Sequence, residues 1–418
     1  MKRCVCFLLA LIIFSLGSLG TGVPCDPSVY AATTKAAAKQ SAVEATMRKG
    51  FEDFETRIEF VKKVDKYTKE KFDAFYDEII AVHDRLMTEK SYFYVEDHIT
   101  FDDSYSHNDE FHVFLIKRYI CSKKDYKTYK AKFDKALKKV GDGTDKNWTD
   151  VQKAAYLHDR LISNTKYLKN GSSRYTATPY SALVDKKALC TGYSRAYAVL
   201  LGEVGIEAQL VSNKDHEWDL VKLGGRWYHV DCTYDDCDTF ESGLEYPYNV
   251  GHEHFLKSDA ALIKHTAYEP AGLATSSRFD KMDWSTYSPF AFYGKGIIYY
   301  DGQAVKVYDT SKNKVTRLFS AKDKWDMVWR EYHGRSWTDH HRYREGGHVH
   351  IVQHGGGIYY NLAHGVYRYD PKTGKIDTVY TNARSDSMIV SIYVSNGALY
   401  GTFCDREFKE KDYVIGKI

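Results

Sequence analysis

The chain has 418 residues, 43% hydrophobic composition and a formal net charge of +3. That length supports two or three domains with substantial cores and needs no staple for folding. Lysines and glutamates are mixed throughout, which excludes the basic footprint of a nucleic-acid binder, and 35 tyrosines fit sheet-rich structure better than a plain helical bundle.

Residues 1–31 read as an export signal. "MKR" is a basic start, and "CVCFLLALIIF" is an apolar stretch too short to span a bilayer. Cleavage near Gly20 or after Ala31 fits, and the small residues Val29 and Ala31 favour the second. Pro24 before Cys25 makes a poor lipoprotein signal. No later stretch reaches about 18 apolar residues, so a bacterial protein secreted or held at the cell surface, without a stable membrane span, is expected. Cleavage removes Cys4, Cys6 and Cys25 from the eight cysteines and leaves five: Cys121, Cys190, Cys232, Cys237 and Cys404. An odd count predicts at least one free thiol, with Cys232–Cys237 and Cys121–Cys404 open as pairs.

Residues 32–145 follow as a leader and an α/β region. Phe72, Phe75, Ile79, Ile80 and His83 fall at helical spacing, "SYFYVEDHITF" and "EFHVFLIKRYI" alternate as strands, and "KDYKTYKAKFDKALKKV" is a charged surface helix. The next region, 146–285, opens with Thr149 or Asp150 as a helix cap. Val151, Ala154, Ala155, His158, Leu161 and Ile162 then share one face. A histidine on such a face is expected to be a satisfied core residue.

Within "ALCTGYSRAYAVLLGEVG", Tyr193, Ala196, Tyr197, Leu200, Leu201 and Val204 form the buried stripe of a helix closing at Gly205. Cys190 therefore sits at the helix N-terminus. Unpaired N–H groups and the positive dipole end there lower a thiol's pKa, and they favour an oxyanion on an attacked carbonyl. Position alone leaves a small buried hydrophobe as the alternative. "HEWDLVKLGGRWYHVD" reads as two strands about the turn Gly224-Gly225, with Leu223 opposite Arg226. His216, Trp218 and Leu220 then share a face with Trp227, His229 and Asp231. This makes His216 and Asp231 diagonal neighbours roughly 7–8 Å apart at the backbone. A carboxylate so placed orients an imidazole. His229 also lies near Asp231, so the base is His216 or His229 on this geometry.

Together these segments resemble the transglutaminase-like, papain-related superfamily in its bacterial secreted form. The likeness rests on "ALCTGYSRAYAVLLGEVGIEAQLV" and "HEWDLVKLGGRWYHVDCTYDD", with "LHDRLISNTKY", "YSALVDKKALC" and "HFLKSD" around them. It covers about 150–260, and more loosely from 50. The resemblance implies a papain-like core with Cys190 as nucleophile, His216 as general base and acid, and Asp231 as orienting carboxylate. It favours His216 over His229, because the family histidine opens a His-x-Trp segment. Here that segment is His-Glu-Trp-Asp rather than His-Ala-Trp-Asn, and Glu217 and Asp219 fall on the other face, where altered substrate edges are expected. Tyr180 is the candidate oxyanion residue, against a plain core tyrosine. The implied chemistry is acyl transfer from an amide through a thioester, to water or to an amine. No calcium-loop pattern is present, and no cofactor or metal is expected.

From about residue 286 the chain turns glycine- and tyrosine-rich. "GKGIIYYDGQAVKVYDTSKNKVTRLF" and "GGGIYYNLAHGVYRYDPKTGKIDTVY" repeat, with Tyr308-Asp309 answering to Tyr369-Asp370 and a third incomplete copy ending the chain. They read as β-propeller-like blades. His333, His340, His341, His348, His350 and His354 cluster between the copies. His348 and His350 would share a strand face, but the spacing fits no known zinc finger and a polar loop is expected.

The expected architecture is α+β: an α/β N-terminal region, a papain-like transglutaminase core at 146–285 and an all-β domain at 286–418. The expected function is thiol-dependent amide acyl transfer or hydrolysis on a protein or peptide, with the cell wall or a surface polymer as a further partner. The alternative is a non-catalytic surface binding protein using the same fold and the β-repeats.

Overall fold

The computed structural model describes residues 40–168, 174–236, 250–263, 268, 271–282, 284, 286–321, 349–384, 386–405 and 409–418. The expected signal segment, Cys237, and His333, His340, His341 and His348 lie outside the described residues. No helix among the described residues is long and apolar enough to cross a membrane.

The first region holds α1 (Ala42–Asp53), β1 (Arg57–Lys63), α2 (Lys69–Met87), β2 (Thr100–Phe101), β3 (Tyr105–His107), β4 (Glu110–Ile116) and α3 (Tyr126–Gly141). Ser41 and Thr68 cap α1 and α2 by accepting from backbone N–H groups three residues on. β4 is central, flanked by β1 on one edge and by β2 and β3 on the other. Segment 91–101 was expected as an alternating strand, and most of it is not one. Tyr92, Phe93, Tyr94 and Val95 are buried in succession after a 3-10 turn at Lys90–Tyr92, and only Thr100–Phe101 pairs with β4. Alternation needs one solvated face, and this stretch has none. Phe93 stacks on Phe133 of α3 at 4.4 Å and Tyr94 on Phe54 at 4.7 Å.

The second region holds α4 (Asp150–Asn164), β5 (Lys166–Tyr167), β6 (Lys187–Ala188), α5 (Cys190–Glu203), β7 (Ala208–Ser212), β8 (Glu217–Leu223), β9 (Arg226–Val230), β10 (Phe255–Lys257) and α6 (Asp259–Leu262). A capping box of Thr149 and Gln152 opens α4, and Gln152 also donates to the carbonyls of Gly294 and Gly296. The antiparallel sheet runs β10-β9-β8-β7. Leu223 faces Arg226 across the turn, the expected register. Both turn residues have positive φ, 58° at Gly224 and 77° at Gly225, which glycine alone adopts freely.

Helix α5 lies against β8 and is buried from Gly192 to Leu201. Gly192 is required by close approach, since a Cβ there would stand 2.7 Å from both the Ala188 side chain and the Thr176 carbonyl. Arg195 is fully buried in α5 and donates to the backbone carbonyls of Met87, Tyr92, Val95 and Ala177. Three of those belong to the first region, so this helix is locked to it. One apolar core runs from Val43 through α5 to Tyr308.

The third region is antiparallel. β11 (Ala291–Tyr293), β12 (Gly296–Tyr300), β13 (Ala304–Asp309) and β14 (Lys314–Ser320) form one sheet. β15 (Ile351–His354), β16 (Gly357–Leu362), β17 (Gly365–Tyr369) and β18 (Ile376–Thr381) form the next. β19 (Ser387–Ser395), β20 (Ala398–Asp405) and β21 (Glu410–Lys417) form a three-stranded third. Ile358 and Tyr360 of the second sheet pack on Ile298 and Tyr300 of the first, while Tyr359 and Val366 pack on Ile389 and Phe403 of the third. Cys121 and Cys404 do not form the pair left open by the sequence. Each is a free thiol in a separate part of the fold, and burial, with nearby acidic groups, pushes them up to about 11 and about 12.

Candidate active site

Cys190 begins α5 because Leu189 leaves the helical conformation there, its N–H held by the Thr176 carbonyl at 3.0 Å. Burial works against ionisation of the thiol. The hydrogen bond and charge of His216, with backbone N–H groups of Glu217 and Thr191, outweigh it and lower the pKa below the ordinary thiol value.

His216 precedes β8, and Asp231 follows β9 across the hairpin. His216 Nε2 donates to Asp231 Oδ2 at 2.6 Å, so the remaining ring nitrogen, Nδ1, meets the thiol. Burial depresses the imidazole, but Asp231 and Cys190 more than compensate and push it up to about 10. Asp231 is itself fixed. Its Oδ1 accepts from the backbone N–H groups of Thr233 (2.9 Å) and Tyr234 (3.0 Å), and its Oδ2 also accepts from Tyr268 at 2.5 Å. Trp218 stacks on the imidazole and Tyr234 meets it edge-on, with centroids at 5.8 and 4.6 Å. The structure thus brings Cys190, His216 and Asp231 together.

His229 faces elsewhere. Its Nδ1 accepts from Trp218 Nε1 and its Nε2 meets Asp259, both at 2.9 Å. Tyr180 is buried against Tyr129 and Phe93, with centroids at 5.1 and 6.1 Å, and burial pushes its phenol up to about 12. Its ring serves packing there.

Glu217 and Asp219 do fall on the other face of β8, against α5, where Asp219 is fully buried and Glu217 is half-buried. Ser194 Oγ donates to Glu217 Oε1 at 2.5 Å beneath the thiol. Burial, then the nearby charges of Asp97 and Cys190, pushes Glu217 well above the carboxylate range. Burial does the same to Asp219, aided by Glu217 and Asp231. An amide keeps the size of this side chain and can still accept from Ser194 Oγ. Glu217→Gln is therefore expected to change folding free energy at pH 7 by less than about 1 kcal/mol; a larger loss in urea unfolding would show a buried anion instead.

Three tyrosines at the site were missed. Tyr234 and Tyr268 border His216 from segments without regular periodicity. Tyr167 reaches it through a two-residue parallel pairing, Tyr167 opposite Ala188, that leaves no local sequence signal. Burial raises its phenol, with Cys190, Tyr234 and Asp231 adding to the effect.

Behind the site lies a buried ionic network. His158 Nδ1 meets Asp159 at 2.9 Å and its Nε2 meets Asp235 at 3.2 Å, while His252 Nε2 reaches Asp159 at 2.9 Å. His158 is thus the satisfied core residue expected. Ligand-type atoms of His158, Asp159 and His252 lie within 4.8 Å of one another and could hold a metal ion. His350 is buried, with Nδ1 on Ser391 Oγ at 3.1 Å.

A cysteine-led helix packed on an antiparallel sheet that carries the histidine and the carboxylate gives this region a mixed helix-and-strand core. Residues 135–232 match the transglutaminase-like superfamily, and the chain carries a transglutaminase-like domain. Solved structures give partial likenesses. A TGase is 12% identical over 48% of this chain and 55% of its own, with a TM-score of 0.23. The extracellular domain of a candidate one-component system from B. thetaiotaomicron is 11% identical over 47% and 22%, with a TM-score of 0.21. A candidate cysteine protease from Cytophaga hutchinsonii is 13% identical over 33% and 63%, with a TM-score of 0.20. The chain spans less than two thirds of the length of each of these structures. No curated protein matches the chain.

Proposed function

We propose that this protein is an exported thiol enzyme that transfers the acyl group of a protein or peptide amide through Cys190. The observation that carries the reading is His216 held between Asp231 and the Cys190 thiol. With the thiol lowered and the imidazole pushed up to about 10, the pair is biased toward thiolate and imidazolium. The thiolate attacks the amide carbonyl, and backbone N–H groups at the start of α5 would hold the oxyanion. His216 then gives its proton to the leaving amine, and a thioester forms on Cys190. Water or a second amine, its proton taken by His216, releases the acyl group by hydrolysis or by cross-linking. Asp231 keeps the imidazole oriented throughout. The antiparallel sheets of the third region, as propeller-like blades, would dock the substrate or a surface polymer.

The test is the alkylation rate of Cys190 against pH, read by peptide mass spectrometry. The expected rate reaches its plateau well below the free-thiol pKa of about 8.5, and His216→Ala abolishes that plateau. A wild-type thiol that behaves as an ordinary one would instead support a non-catalytic binding protein on the same fold.

A further inference from the structure

The hairpin that presents His216 at one end carries a second feature at the other. Six residue steps along β8, about 20 Å, separate Glu217 from Leu223, which sets the Gly224-Gly225 turn at the far end of the hairpin from His216. There the turn, the segment Thr275–Arg278 and the β13–β14 turn Thr310–Asn313 enclose a cleft of about 780 Å³.

Its lining is basic and polar, with Arg226 and Arg278 both exposed. Arg278 is held in place: its Nη2 donates to Tyr308 Oη at 2.7 Å and to the Thr310 carbonyl at 3.2 Å, and its Nε to Asn313 Oδ1 at 3.1 Å. The guanidinium also lies 4.9 Å from the Phe279 ring centroid. Every one of those partners is neutral. Among the described residues, no carboxylate stands within ion-pair distance of Arg278 or of Arg226 across the cleft. Lys312 pairs with Asp309 at 3.3 Å, the acid of that turn. Hydroxyls of Thr275, Ser277 and Ser311 complete the walls, and the large apolar contribution is limited to Leu223 and Tyr228.

Two guanidiniums without acidic partners are matched by an anion, which Arg278 would meet through Nη1, since its Nε and Nη2 are taken up by Tyr308, Thr310 and Asn313. Peptide side chains are usually anchored in apolar pockets, which this lining lacks, whereas hydroxyls and an amide suit a polyhydroxylated ligand. We propose that this cleft binds an anionic glycan, its phosphate or carboxylate group held between Arg278 and Arg226. It would tether a polymer at a point remote from the thiol. The cleft is separate from the active site, and its ligand would bind whether or not Cys190 is reactive.

The experiment is isothermal titration calorimetry of the full chain with a polyol-phosphate polymer, a polyuronate, neutral dextran and poly-glutamate. Binding of the phosphate or the carboxylate glycan, weakened by salt and absent for dextran, is expected, and the arm that binds identifies the group. Arg226→Gln and Arg278→Gln should each weaken it roughly tenfold or more, the loss of a charge-assisted hydrogen bond. Arg226 is exposed, so its variant keeps the test valid if Arg278→Gln disturbs the turn. Cys190 alkylation should be unchanged in both. No glycan binding, equal binding of dextran, or affinity indifferent to both substitutions would overturn the proposal. Stronger binding of poly-glutamate would replace the glycan with an acidic peptide.

Discussion

Asp231→Ala is expected to lower the Cys190 alkylation rate at pH 6 by roughly 10- to 100-fold while the protein stays folded. The imidazole of His216 is pulled two ways. Burial disfavours its charge, and the hydrogen bonds to Asp231 and to Cys190 restore it, leaving the pKa at about 10. Removing the carboxylate takes away the larger of the two restoring contacts, so the pKa of His216 falls. Cys190 then loses its cationic neighbour over more of the pH range, and burial, which opposes its ionisation, is left to raise its pKa. The alkylation midpoint therefore moves to higher pH. In wild type the ion pair persists until His216 loses its proton near pH 10, so acyl transfer that needs the imidazolium should fall on that alkaline limb. In the variant the limb should move down with the imidazole. This separates positioning from packing: a merely structural Asp231 would reduce the amount of folded protein without moving either midpoint. Unchanged midpoints in the folded variant would refute the role.

The parts of the site that local rules govern were legible in the sequence. Two glycines at a two-residue turn set the hairpin register, and the register set which side chains share the face of Asp231. The stripe from Tyr193 to Leu201 placed Cys190 at a helix start. The reach of each imidazole was not legible. His229 shares the strand face, but Trp218 and Asp259 engage its two nitrogens, and α6, which carries Asp259, is distant in sequence. Nor was the cover over Asp219 legible, since alternation gives a face without saying what packs on it. The misread segment at Tyr92–Val95 has the same cause: alternation favoured a strand, and packing against Phe51 of α1 and Phe133 of α3 decided otherwise. Tyr180 likewise stands near the nucleophile in sequence, while its ring is taken up by Tyr129 and Phe93.

Asp235→Asn should destabilise the fold by roughly 3–5 kcal/mol at pH 6, because it breaks a buried pair while leaving its cation in place. His158 presents both ring nitrogens to carboxylates, at 2.9 Å from Asp159 and 3.2 Å from Asp235. Burial alone would drive it neutral, but the two hydrogen bonds hold its pKa up at about 9. Burial likewise opposes the charge on Asp235, and His158 and His254 overcome it to depress that group below the ordinary carboxylate range. The signs follow from linkage. The raised histidine contributes stability that is complete below its unfolded value of about 6.5 and lost as pH climbs through about 9. The depressed carboxylate contributes above its unfolded value of about 3.9 and loses that contribution as pH falls. Wild-type stability from this network is therefore greatest between roughly pH 4 and 6.5 and declines toward about pH 9. In the Asp235→Asn variant His158 keeps one carboxylate partner, so the decline between about pH 6.5 and 9 should shrink. The loss should also reach the thiol. Asp235 N–H donates to the Asp231 carbonyl at 3.1 Å, and Asp159 at the other end of the network accepts from Phe290 N–H at 2.6 Å, at the entry to the β-sheets. Urea unfolding of both proteins at pH 5, 6 and 9, followed by tryptophan fluorescence, measures each contribution. A variant within about 1 kcal/mol of wild type at pH 6, or a wild type equally stable at pH 6 and 9, would mean that these charges do not hold the core behind Asp231.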